Sequence, residues 1–214
     1  MGKTLVAEIE AGRLEGIGIA RLRKVVGAFG LSLELTVRGL GADGDRLLDE
    51  RHAAVLGACA AWLQSIGWLT VAEVSYSEWG ERGSIDLLAW HAPTRTLLVI
   101  EIKTELVSVE ATLRKHDEKV RLAPAIARRL GWHPTSVSRL LVLPDQRTEH
   151  RRVARHELVM IGAYPMRTRD VRRWCRSPAG PISGLMFLPN AAVSGRAAAR
   201  GRQQRVQVTR RHTS

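Results

Sequence analysis

An apolar run, Leu97-Leu98-Val99-Ile100, leads without a break into Glu101-Ile102-Lys103. Just upstream lies a second segment, Gly83-Ser84-Ile85-Asp86-Leu87-Leu88-Ala89, apolar except for its acid. Ala92-Pro93-Thr94 between the two is a tight-turn signal. The pattern predicts two neighbouring strands, each with a carboxylate at a polar break. On the second strand Glu101 and Lys103 stand two apart, so they share one face. Two carboxylates and one ammonium from adjacent strands can hold a divalent cation beside a positive group. That is the equipment of metal-assisted phosphodiester hydrolysis.

The rest of the chain is organised around that hairpin. Residues 46–66 read as a helix with Leu48, Val55, Cys59, Trp62 and Ile66 as its main stripe. A flatter face of Leu47, Ala54, Ala58 and Ala61 lies beside it and carries Glu50. Three strands are expected at 68–76, 84–91 and 95–103. A long helix follows over 109–130, with Leu113, Val120, Leu122, Ile126 and Leu130 inward and Pro124 set to kink or split it. Then come a strand over 137–143, a basic helix over 148–156, a strand over 157–163, a helix over 168–176 and a last apolar piece over 185–188. A meander, a crossover helix and a further strand imply a mixed sheet with helices on both faces. Ahead of this core, 4–30 reads as two short helices, the second carrying Ile19, Leu22, Val25, Val26 and Phe29. Residues 31–37 alternate like a strand, and 39–45 read as a Gly/Asp linker.

At 214 residues the chain can bury one sizeable core plus an appendage. No apolar run approaches the roughly 20 residues of a membrane span. The N-terminus lacks a basic-then-apolar signal pattern, so the expected location is cytoplasmic, with no membrane partner. The two cysteines, Cys59 and Cys175, lack CxxC spacing, which argues against a disulfide framework or a zinc site. His116, His133 and His156 show no metal-ligand spacing either. Charge is uneven: residues 1–112 carry a net −4 and residues 113–214 a net +16. A basic half joined to an acid-bearing half fits a polyanion partner. From Ala191 onward the sequence has six Arg, no acid and few large apolar residues, a composition expected to stay disordered.

The element order, with Asp86, Glu101 and Lys103 so placed, resembles the PD-(D/E)xK nuclease superfamily. Gly83–Ala89 is most similar to its Holliday-junction-resolvase-type branch, and the resemblance covers roughly 46–145. It implies an α/β, restriction-endonuclease-like core, a mixed central sheet flanked by helices, with a small helical N-terminal appendage. It further implies a DNA endonuclease using Mg2+ or Mn2+. Asp86 and Glu101 would be the metal carboxylates, Glu50 the helix acid that completes the site, and Lys103 the residue that orients or activates water. The Ile102 carbonyl would also face the metal. The superfamily's Pro is absent, Ser84-Ile85 standing before Asp86. Arg82, Lys115, Lys119 and Arg121 are the candidate nucleic-acid contacts, with Tyr76 and Trp79 flanking the loop before Asp86.

Residues 4–30 resemble the second half of a lambda-repressor-like helix-turn-helix domain, Ala7–Leu14 being similar to the end of its recognition helix. The domains expected are therefore 1–45, a partial helix-turn-helix-like segment and linker; 46–190, the nuclease-like domain; and 191–214, a basic tail. The partners expected are DNA and, as one option, a second copy of the chain. The alternative function is a DNA-binding transcriptional regulator whose nuclease-like domain is inactive or serves only binding.

Overall fold

The computed structural model describes residues 18–28, 30, 41–78 and 80–189, and for 41–47 the helical backbone alone. The expectations for 4–17, 31–37, Phe29, Trp79 and 191–214 lie outside the described residues. The chain divides into two compact units, Met1–Asp45 and Arg46–Ser214. In the first, α1 (Ile19–Ala28) buries Val25 and leaves Ile19 half exposed.

The rest follows the order α2 (Gly41–Ser65), β1 (Leu69–Glu78), β2 (Glu81–His91), β3 (Thr96–Ile102), α3 (Val109–Arg129), β4 (Ser136–Pro144), α4 (Arg147–Arg155), α5 (Glu157–Ala163), α6 (Thr168–Arg176) and β5 (Ser183–Leu188). The five strands form one sheet in chain order. β1, β2 and β3 are antiparallel neighbours, whereas β3–β4 and β4–β5 are parallel. The fold is thus α/β with a mixed sheet and helices on both faces. Every residue of β3 is buried, as a central strand between two layers requires.

On one face Val55, Leu56, Cys59 and Leu63 of α2 and Val171, Trp174 and Cys175 of α6 pack against Leu98, Ile100, Ile102, Leu140 and Val142. Trp68 joins them and donates its indole N–H to the Cys175 carbonyl at 2.8 Å. Both cysteines are free and buried, and burial pushes each thiol up to about 12. On the opposite face Leu122, Ala123, Ile126 and Ala127 of α3 cover Val74, Ile85, Leu88, Leu97 and Val99. Beside them Val153, Met160 and Tyr164 cover Leu141, Leu143 and Leu185. At Gly184 a Cβ would lie 2.6 Å from Val171, so glycine lets α6 seat on β5.

Three expectations need correction. The strand expected over 157–163 is α5, which buries Met160 and leaves Leu158 89% exposed. A six-residue apolar run, Leu158–Ala163, does not separate strand from helix by period, and β5 already occupies the sheet edge beside β4. The linker expected over 39–45 is helical from Gly41 onward; a glycine costs a helix only about 1 kcal/mol, which continuation can override. Pro124 does not split the long helix, which runs unbroken through it.

Candidate active site

The antiparallel ladder between β2 and β3 ends at Leu87 and Ile100. Asp86 and Glu101 are therefore the first opposed residues beyond it, at the point where the strands part. Asp86 Oδ2 accepts the Ile102 N–H at 2.7 Å, so a side chain stands in for the strand that has moved away. On its other edge β3 stays paired with β4 through Glu101–Leu141 and Ile102–Val142, and the Lys103 N–H reaches the Val142 carbonyl at 3.0 Å. The gap opens on one side of β3 only.

A second irregularity aims Asp86. In the β1–β2 register Asp86 falls opposite Glu73, whose φ is +51°. At this point both strands slip their alternation by one residue. Val71 and Val74 both pack toward α3, as do Ile85 and Leu88, while Ala72 and Leu87 pack the other way. A left-handed residue other than glycine costs about 1–2 kcal/mol, and such strain persists where its surroundings fix it, commonly at functional sites.

The two carboxylates meet at one nitrogen. Lys119 Nζ of α3 lies 3.0 Å from Asp86 Oδ1 and also donates to Glu101 Oε2. The other Glu101 oxygen takes Lys103 Nζ at 2.7 Å. Side-chain exposure grades from 1% at Glu101 through 8% at Lys119 to 37% at Lys103. Glu101 is thus the floor of the site and Lys103 its rim. Burial by itself pushes the Glu101 carboxyl up, but the ammonium groups of Lys119 and Lys103 outweigh it and hold the carboxyl below its ordinary range. For Lys119 burial pulls down, and Asp86 and Glu101 more than offset it, so its ammonium is held above the usual lysine range.

Lys119 is held in place by the seating of α3. Ser108 caps the helix, its Oγ accepting the Ala111 N–H at 3.3 Å. Three links tie the β1–β2 hairpin to the helix: Tyr76 to Glu118 at 2.7 Å, Glu81 to Arg121 at 2.7 Å, and Glu78 to Arg129. Tyr76 reaches the helix across Gly83, where a Cβ would lie 2.5 Å from its hydroxyl. His116, one turn before Lys119, is fully buried. Its Nε2 lies 3.2 Å from the Val99 carbonyl and its Nδ1 2.8 Å from the Tyr164 hydroxyl. A carbonyl only accepts, so Nε2 carries the proton and Tyr164 donates to Nδ1. Burial pulls the His116 pKa down to about 4. The segment after Lys103 is pinned by buried Glu149, which accepts the Leu106 N–H at 2.9 Å.

The structure therefore brings together Asp86, Glu101 and Lys103, and Ile102 enters through its N–H. Glu50 stands exposed on α2. Among the described residues no three His, Cys, Asp or Glu side chains form a group that could hold a metal ion. Of the four basic candidates, Arg82 is exposed, Lys115 pairs with Glu118 at 2.9 Å, and Arg121 pairs with Glu81. Lys119 faces the acids from inside the fold. Sequence reasoning missed that placement, together with His116, Tyr164 and Glu149. The signal was there for α3: its inward stripe Leu122–Ile126 extrapolates back, at steps of three and four, to Lys119, His116 and Thr112, and all three are buried.

Asp86 and Glu101 are hard-oxygen donors on opposed residues, already gathered about a cation, the Lys119 ammonium. That donor set suits a divalent ion with water filling its remaining positions. Among the described residues no helix is long and apolar enough to cross a membrane. A scan of protein-family models matches none, and no curated protein matches the chain.

Proposed function

We propose that this chain is a metal-dependent endonuclease hydrolysing phosphodiester bonds in DNA, built on a restriction-endonuclease-like core of the PD-(D/E)xK type. The observation that carries the reading is the pairing of Asp86 and Glu101 where β2 and β3 part, with Lys103 two residues beyond Glu101 at the rim. The order helix, three-strand meander, helix, strand agrees with it.

Asp86 and Glu101 would hold Mg2+ or Mn2+. The ion, when bound, lowers the pKa of a water ligand and neutralises charge on the scissile phosphate. Asp86 is oriented for this by the Ile102 N–H, which occupies its Oδ2. Lys103, partly exposed and anchored through its N–H to β4, orients the attacking water and stabilises negative charge developing on the phosphoryl oxygens. Buried Glu101 keeps its charge at neutral pH because of the two ammonium groups beside it.

A second reading, a DNA-binding transcriptional regulator with an idle nuclease-like domain, draws on one observation: Lys119 and Lys103 together already neutralise the acidic pair. A cleavage assay separates the two. Branched, single-stranded, methylated and ordinary duplex DNA are incubated with Mg2+, Mn2+ or EDTA. Metal-dependent cleavage of any form supports the nuclease; binding with no cleavage under any divalent ion replaces it with the regulator.

A further inference from the structure

We infer that Lys119 is a built-in competitor for the cation site: its ammonium holds Asp86 and Glu101 until a divalent ion takes them, so that metal entry and Lys119 release are one event. The inference rests on the nuclease reading of the acidic pair and concerns how that site is regulated. Two observations carry it. Lys119 Nζ touches one oxygen of each carboxylate, Asp86 Oδ1 and Glu101 Oε2, the oxygens a shared ion would use. The remaining oxygens are engaged elsewhere, Asp86 Oδ2 by the Ile102 N–H and Glu101 Oε1 by Lys103. While Lys119 stays, an ion can approach these two residues only at oxygens that already carry a donor.

Charge and tethering give the same result. The two acids and two ammoniums sum to zero, so the resting site exerts little net pull on a cation. Lys119 is fixed on a capped helix that three cross-links tie to the hairpin carrying Asp86, so its local concentration at the pair is permanently high. A divalent ion must outcompete it, which raises the ion concentration at which the site fills. Four methylenes carry the charge, so the ammonium can leave the pair by side-chain rotation while the helix stays in place.

Two measurements on the full chain test the inference, and neither uses cleavage. In titration calorimetry with Mg2+ or Mn2+ and no nucleic acid, Lys119→Gln should bind the ion roughly tenfold or more tightly than wild type, since a competing unit charge has left two close carboxylates. In wild type, acetylation by an amine-reactive ester, read by peptide mass spectrometry, should be slow at Lys119. It should accelerate roughly tenfold at saturating Mn2+, with half-exposed Lys115 as the internal reference. The second arm needs no variant and survives a Lys119→Gln protein that does not fold. Equal ion affinity in folded wild type and Lys119→Gln, or a Lys119 that stays protected at saturating ion, overturns the competition while leaving the nuclease reading intact. Absence of ion binding to either protein overturns it as well, and the EDTA arm of the cleavage assay then judges the nuclease reading separately.

Discussion

Three residues with two kinds of contact predict two separable losses. Asp86 and Glu101 meet at a cation position, so Asp86→Ala and Glu101→Ala should weaken metal binding and abolish cleavage. Loss of an acid facing phosphate should leave metal-free DNA binding equal or tighter. The Lys103 ammonium pairs with Glu101 Oε1 and stands at the rim. Lys103→Ala should therefore bind metal at least as tightly as wild type yet slow single-turnover cleavage by roughly 10²–10⁴. A Lys103→Ala enzyme that loses metal binding in calorimetry would make Lys103 a structural counter-ion instead. His116 gives a pH dependence of stability. Glu101, Lys119 and Arg139 are the charged groups acting on it, with Tyr164 as its hydrogen-bond donor. Its folded pKa is depressed to about 4 from 6.5, so the unfolded chain binds the proton more readily. His116's contribution to stability is complete above pH 6.5 and is lost as pH falls toward 4, a change of about 3 kcal/mol at the limit. Urea melts at pH 7.5 and 5 should show a smaller difference in His116→Gln than in wild type.

At the scale of elements, the hairpin and α3 act as one clamp, and Gly83 is where it is most sensitive. A Cβ there would meet the Tyr76 ring, so Gly83→Ala should cost about 1–3 kcal/mol in denaturant melts. The cost should shrink in a Tyr76→Leu background; equal costs in both backgrounds would show that the clash is not the cause. The same elements show why some of this was legible in advance. Leu97–Ile100 and Ile85–Ala89 state their strands plainly because a buried strand needs little beyond apolar residues. The opposed acids follow from the hairpin turn between them. Lys119 was hidden because lysine reads as solvated unless the stripe it interrupts is followed back along the helix. The strain at Glu73 was hidden too, since nothing in Val71-Ala72-Glu73-Val74 announces a left-handed residue. Helix α5 was misread because Glu157–Ala163 is apolar at a place where the sheet has no vacancy for it.

For the whole molecule, charge and chain order matter most. The net +16 of residues 113–214 includes six Arg beyond Ala191. Affinity for DNA should fall steeply with salt through counterion release, and a chain ending at residue 190 should show a shallower slope of log affinity against log salt. An unchanged slope would remove those arginines from the phosphate contacts. The site itself falls within one continuous stretch, Asp86 to Lys119, whereas Arg139 and Ser183 must close a gap of 44 residues to join β4 to β5. Closing a loop costs more entropy as it lengthens, by about 0.6 kcal/mol per doubling, and local contacts form sooner. The acidic pair, whose hairpin contact from Ile102 to Asp86 closes only 16 residues, thus belongs to the part of the chain able to assemble first. In pulse-labelled hydrogen exchange during refolding, the Ile102 amide should gain protection before the amides of β5.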